Sequence, residues 1–108
     1  MSEPKEVLWP GKSGRKYAYK VFPLSQEWND VPGNYIFAKL EAGRWSSVYI
    51  GETESLKNRH ASHEKQECAK RNGATHIHAH KSSAEKQERL DEETDIRKSF
   101  PNTPCNLQ

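Results

Sequence analysis

Between Gly33 and Gly51 the chain passes through two strand-like stretches joined by a glycine-bearing turn, and each stretch carries a tyrosine close to a glycine. Residues 34–40 read Asn-Tyr-Ile-Phe-Ala-Lys-Leu and residues 47–50 read Ser-Val-Tyr-Ile, both rich in β-branched and aromatic side chains. The six residues between them include Gly43, which suits a hairpin loop. The predicted centre of the fold is therefore an antiparallel pair with Tyr35 and Tyr49 on adjoining strands. Strand tyrosines are commonly cross-strand packing, so a chemical role depends on what else reaches them.

The chain has 108 residues, enough for one modest core. Charged residues (30%) nearly match apolar ones (32%), so an ionisable group at an inward-facing position stands out as a candidate. A net charge of +2 permits nucleic-acid contact without requiring it. Cys68 and Cys105 lie far apart in no metal-ligand spacing, and no apolar run has the length of a leader or membrane helix. These features give the expectation of a cytoplasmic, reducing setting with no membrane, and of two small half-buried thiols.

Before the hairpin, residues 1–16 read as a polar arm. Gly11-Lys12-Ser13 is not a phosphate loop, because the glycine due five residues earlier is Glu6. Residues 17–22 alternate as a strand and stop at Pro23, so 1–31 is predicted to be an arm with an extra edge strand and 32–108 the main domain. After the hairpin, Ser55 caps a helix from Leu56 towards Lys70 that places Leu56, Arg59 and His63 on one ridge. Residues 75–80 alternate again, with Ile77 and Ala79 on one face and His76, His78 and His80 on the other. A charged helix then runs from Ser82 or Ser83 through Ser99, with Leu90, Ile96 and Phe100 as its apolar arc. Glu93 falls within that arc, and a carboxylate there is costly unless paired, protonated or bound to a cation. The resulting expectation is a small α+β domain, an antiparallel three-stranded sheet flanked by helices, with an N-terminal extension.

Taken in order, Gly33-Asn34-Tyr35, Tyr49-Ile50-Gly51, Arg59, His63, Glu93 and Asn106 resemble the GIY-YIG nuclease family, over about residues 32–106. The resemblance implies a metal-dependent DNA endonuclease. Tyr35 and Tyr49 would face the scissile phosphate, Arg59 would stabilise its charge, and His63 would assist proton transfer or orient a tyrosine. Glu93 would hold one divalent cation, magnesium or manganese. Gly33, Gly51 and Asn106 would be structural, Asn106 pinning the C-terminal end against the site. Asn34 stands where isoleucine is usual, and Glu52 follows where some members have a lysine nearby.

The chemistry is coherent only as a group, since a free tyrosine is a poor base at neutral pH and needs a neighbouring cation. Lys57, His76, His78 and Arg71 are candidate substrate contacts. A partner protein or a homodimer would have to supply any sequence specificity. The alternative is a non-catalytic nucleic-acid-binding or protein-interaction module, in which Glu93 pairs with Arg97 one turn on. Three histidines on one strand face also suggest zinc, although alternate strand residues lie about 7 Å apart, too far for one ion to take all three.

Overall fold

A computed structural model describes residues 5–61 and 65–107. Its strands are β1 (Glu6–Pro10), β2 (Lys16–Pro23), β3 (Gly33–Glu41), β4 (Arg44–Thr53) and β5 (His76–Lys81). Its helices are α1 (Leu56–Ala61), α2 (Gln66–Arg71) and α3 (Lys86–Ser99), followed by a 3-10 turn at Pro104–Asn106. The strands form one antiparallel sheet in the order β1-β2-β5-β3-β4.

This corrects the expected three-stranded sheet flanked by helices. The sheet has five strands, curls into a half-barrel and outweighs the three short helices. The physical reason lies in the N-terminal segment, where a polar, proline-bearing stretch conceals alternate inward residues. Trp9 is 5% exposed, its ring 5.3 Å from Phe100, and its indole donates a 2.9 Å hydrogen bond to Nδ1 of His78. Tyr19 is wholly buried. Anchored by these rings, β1 pairs with β2, and β2 pairs with β5, which places the hairpin in the same sheet as the rest.

The Gly11-Lys12-Ser13 turn also has a structural task. Ser13 gives Asp95 of α3 a backbone bond of 2.9 Å and a hydroxyl bond of 2.6 Å, and the Tyr17 hydroxyl adds one of 2.8 Å. A side chain at Gly11 would collide with the Asp95 carboxylate, its Cβ lying 2.0 Å from Oδ2.

Side-chain alternation divides the core into two faces. On one, Tyr35, Phe37, Val48, Ile77 and Ala79 pack against Leu56, Cys68, Ala69 and Cys105 from α1, α2 and the C-terminal turn. On the other, Ile36, Ala38 and Ile50 pack with Trp9, Tyr19 and Ile96. The two cysteines, expected as separate thiols, form a disulfide across 37 positions, because folding brings α2 against the C-terminal turn. No described helix is long and apolar enough to cross a membrane.

Candidate active site

Tyr35 lies on β3, Tyr49 on β4 and Arg59 on α1, and the first face of the sheet brings the three together. Arg59 Nε donates a 3.1 Å hydrogen bond to the Tyr35 hydroxyl, and the two tyrosine rings are 6.0 Å apart. The Tyr49 hydroxyl is within hydrogen-bonding reach of both Tyr35 and Arg59. Tyr35 is 0% exposed, whereas Tyr49 and Arg59 are half-buried. Burial pushes the Tyr35 phenol well above its ordinary value, more than Arg59 pulls it down, while the bond to Tyr35 raises Arg59. The result is a guanidinium held by a buried phenol beside a second, more accessible one.

The glycines have steric roles here. A Cβ on Gly51 would lie 2.7 Å from Tyr35 Cζ and 2.8 Å from Tyr49 Cε2, so glycine leaves the slot into which both rings fit. On Gly33 it would lie 2.7 Å from the His80 carbonyl and 2.7 Å from Leu56 Cδ1, closing the gap through which α1 approaches the sheet. The start of α1 is secured as the sequence predicts: Asn58 N donates to Ser55 Oγ at 3.1 Å. Leu56 N also donates to the Val31 carbonyl at 2.9 Å, which sets the position of Arg59 one turn on.

Asn106 grips the other side of the hairpin. Its carboxamide accepts from Ile50 N at 2.8 Å and donates to Ile50 O at 2.9 Å, meeting the outward backbone groups of an edge strand. Ile50 lies between Tyr49 and Gly51. His63 lies outside the described residues.

Glu93 comes from α3, on the opposite face of the sheet. Burial raises its carboxyl above the usual range, and the charges of Glu52 and Arg59 both bear on it. Its direct partner is Arg97 at 3.3 Å, and Arg59 has the weakest influence of the charges around it. Neighbouring Glu92 is committed elsewhere, accepting from the Tyr19 hydroxyl at 2.6 Å and contacting His80 Nε2 at 2.7 Å.

The candidate substrate contacts separate. Lys57 and Arg71 are exposed, and His76 is half-buried against Trp45, 5.1 Å between ring centroids. His78 corrects the expectation of a substrate-facing imidazole: it is 0% exposed, lying 5.6 Å from the Trp9 ring and 4.3 Å from the Trp45 ring. Burial, with some help from His76, pushes it down to about 4. His80 has Nδ1 against the Lys81 carbonyl at 2.9 Å as well as Nε2 against Glu92. The three imidazoles thus serve three separate environments.

One residue that the sequence reading passed over is Arg89, 3% exposed on α3. Its Nη1 donates to the carbonyls of Ser83 and Ala84 at 2.9 and 3.0 Å, and its Nε lies 3.4 Å from Glu52 Oε1 without hydrogen-bond alignment. Asn34 donates to the Arg89 carbonyl at 3.0 Å and accepts from the Ser82 hydroxyl at 2.6 Å. The unusual Asn34 thereby ties the sheet to the start of α3, on the face opposite Tyr35. A signal for Arg89 was present, since residues 89, 93, 96 and 100 share one helical stripe.

Among the described residues no cluster of three or more His, Cys, Asp or Glu is poised to hold a metal ion. Magnesium needs none, because one or two carboxylates with waters and substrate phosphates suffice. A half-buried carboxylate with raised affinity for protons, as at Glu93, fits such an ion. No family model, curated protein or solved structure matches this chain.

Proposed function

We propose that this protein is an endonuclease of the GIY-YIG type, hydrolysing DNA phosphodiester bonds. The observation that carries the reading is the Tyr35–Arg59 contact beside Tyr49. A buried phenol orienting a half-exposed guanidinium is an arrangement suited to binding a charged oxygen, and plain core packing has no use for it.

In this reading Arg59 meets the phosphoryl oxygens and Tyr49 faces the entering phosphate. Tyr35, too buried to touch substrate, holds Arg59 in place. Tyr49 is half-exposed and within reach of Arg59, whereas Tyr35 is buried, so Tyr49 is the better placed of the two phenols to take a proton from water. Glu93 starts on the opposite face, paired with Arg97, and would have to turn towards the phosphate to hold magnesium or manganese, which when bound supplies stabilisation of the leaving oxygen. Exposed Lys57 and Arg71 would add sequence-independent phosphate contacts. A cytoplasmic setting belongs to this reading.

One observation favours the second reading, a nucleic-acid-binding module without catalysis: Glu93 already has an ion-pair partner. Incubation with supercoiled plasmid and magnesium separates the two. The nuclease reading expects nicked or linear product from the wild type and none from Arg59→Ala or Glu93→Gln. Intact plasmid that is nevertheless retarded in a gel would favour the binding module.

A further inference from the structure

The two cysteines and Thr103 lie outside the reacting groups, yet they converge on the strand that carries Tyr49. In the β3–β4 ladder Phe37 faces Tyr49 while Ala38 faces Ser47, so Val48 is an extra residue in β4. A bulge of this kind interrupts the ladder and re-aims the neighbouring side chain. Something must hold the interrupted segment, and β4 is an outer strand of the sheet.

The C-terminal segment holds it at both ends. Before the bulge, the Ser47 and Thr103 hydroxyl oxygens are 2.6 Å apart, and Thr103 is 3% exposed. The Thr103 hydroxyl donates its proton to the Phe100 carbonyl at 2.8 Å, so Ser47 is the donor between them. After the bulge, Asn106 makes its two bonds to Ile50. The turn that carries Asn106 is only three residues long, and its own bonds are long ones, from Asn106 N to Thr103 O at 3.2 Å and from Leu107 N to Pro104 O at 3.3 Å. The covalent tie from Cys105 to Cys68 on α2 anchors it.

We propose that Cys68, Cys105 and Thr103 are positioning residues for Tyr49, the disulfide fixing the C-terminal turn as a clamp over the bulged part of β4. This rests on the nuclease reading for its catalytic consequence, but the clamp itself does not. Opening the disulfide with a dithiol breaks one S–S bond and delivers two electrons and two protons. The products are two cysteine thiols and the oxidised, cyclic dithiol. The loosened turn then loses its grip on Ile50, and Tyr49 loses its fixed approach to the phosphate. Misplacement on the scale of an ångström is enough to slow an oriented reaction severely.

The test uses the full chain, oxidised and after dithiothreitol, with two readouts. Plasmid cleavage gives kcat and KM, and NMR hydrogen exchange follows the Ile50 amide. On reduction, kcat is expected to fall about tenfold with KM little changed, and Ile50 exchange to accelerate at least tenfold. The Cys68→Ser/Cys105→Ser double variant should match the reduced protein and ignore dithiothreitol. Thr103→Val, with the disulfide intact, should lower kcat about threefold, and it decides the matter if reduction unfolds the whole chain. Unchanged kcat and unchanged Ile50 exchange on reduction, or unchanged kcat in Thr103→Val, would overturn the proposal. If the oxidised wild type does not cleave at all, the nuclease reading falls, and Ile50 exchange alone decides the clamp.

Discussion

The two faces of the sheet use similar side chains to opposite ends. Both combine aromatic rings with ionisable groups around a central strand. On the histidine face the groups are held inside the fold: His78 accepts from the Trp9 indole, Glu92 accepts from Tyr19 and contacts His80, and Arg89 donates to two backbone carbonyls beside Glu52, while His78 Nε2, Arg89 Nε and Glu52 Oε1 are buried without a hydrogen bond. On the tyrosine face the chain stops short of closure, leaving the Arg59 guanidinium and Tyr49 half-exposed over a buried Tyr35. A polar network buried in the fold bears on stability and specificity of fold, whereas one that reaches solvent can still bind something.

Arg59→Ala should have the largest effect, lowering cleavage by about a thousandfold, roughly 4 kcal/mol of lost transition-state stabilisation, with little change in the urea midpoint. An equal loss of stability would erase the distinction between the faces. Acid should next reveal the histidine face. His78 sits at about 4 when folded, against about 6.5 in an unfolded chain, so the unfolded state takes up the proton first as pH falls. Stability is full above about pH 6.5 and declines down to about pH 4, by roughly 3 kcal/mol. His80 runs the other way: burial lowers it, but the Glu92 bond and charge raise it overall, so its contribution is present below about pH 6.5 and is lost as pH climbs through its raised value. Urea midpoints between pH 7 and pH 4 in a His80→Gln/Glu93→Gln background report the His78 contribution.

Gly51→Ala should lower kcat by about a hundredfold, because the new methyl must displace the Tyr35 and Tyr49 rings from each other. Its urea midpoint should move less than its rate. A smaller effect should come from Tyr35→Phe, about tenfold in kcat, since a residue that only orients Arg59 is worth less than one that meets the substrate. Tyr49→Phe measured alongside should be the more severe of the pair, and the reverse order would exchange their roles.

Periodicity made much of this legible. The β3–β4 hairpin, the strand at β5, the cap at Ser55 and the charged helix all follow from alternation, turn residues and helical stripes. Other features depend on segments distant in sequence. All three histidines point the same way along β5, but only His78 meets both Trp9 and Trp45, each from a different strand. The β1 strand is read as a polar arm until Trp9 is seen to have a pocket. The bulge at Val48 leaves the local composition ordinary, and the Cys68–Cys105 pairing has no local signature at all. A helical wheel places Glu93 inward but cannot show that α3 packs on the face opposite Tyr35.

The division between the faces can be measured on two variants prepared alike, with magnesium-dependent plasmid cleavage and the urea midpoint recorded for Arg59→Ala and Arg89→Met beside the wild type. Arg59→Ala should keep the midpoint and lose cleavage. Arg89→Met, which strands the Glu52 carboxylate in the interior, should lose about 3 kcal/mol of stability yet still cleave under conditions where it remains folded. Cleavage retained in Arg59→Ala, or lost in folded Arg89→Met, would contradict the assignment of chemistry to the tyrosine face.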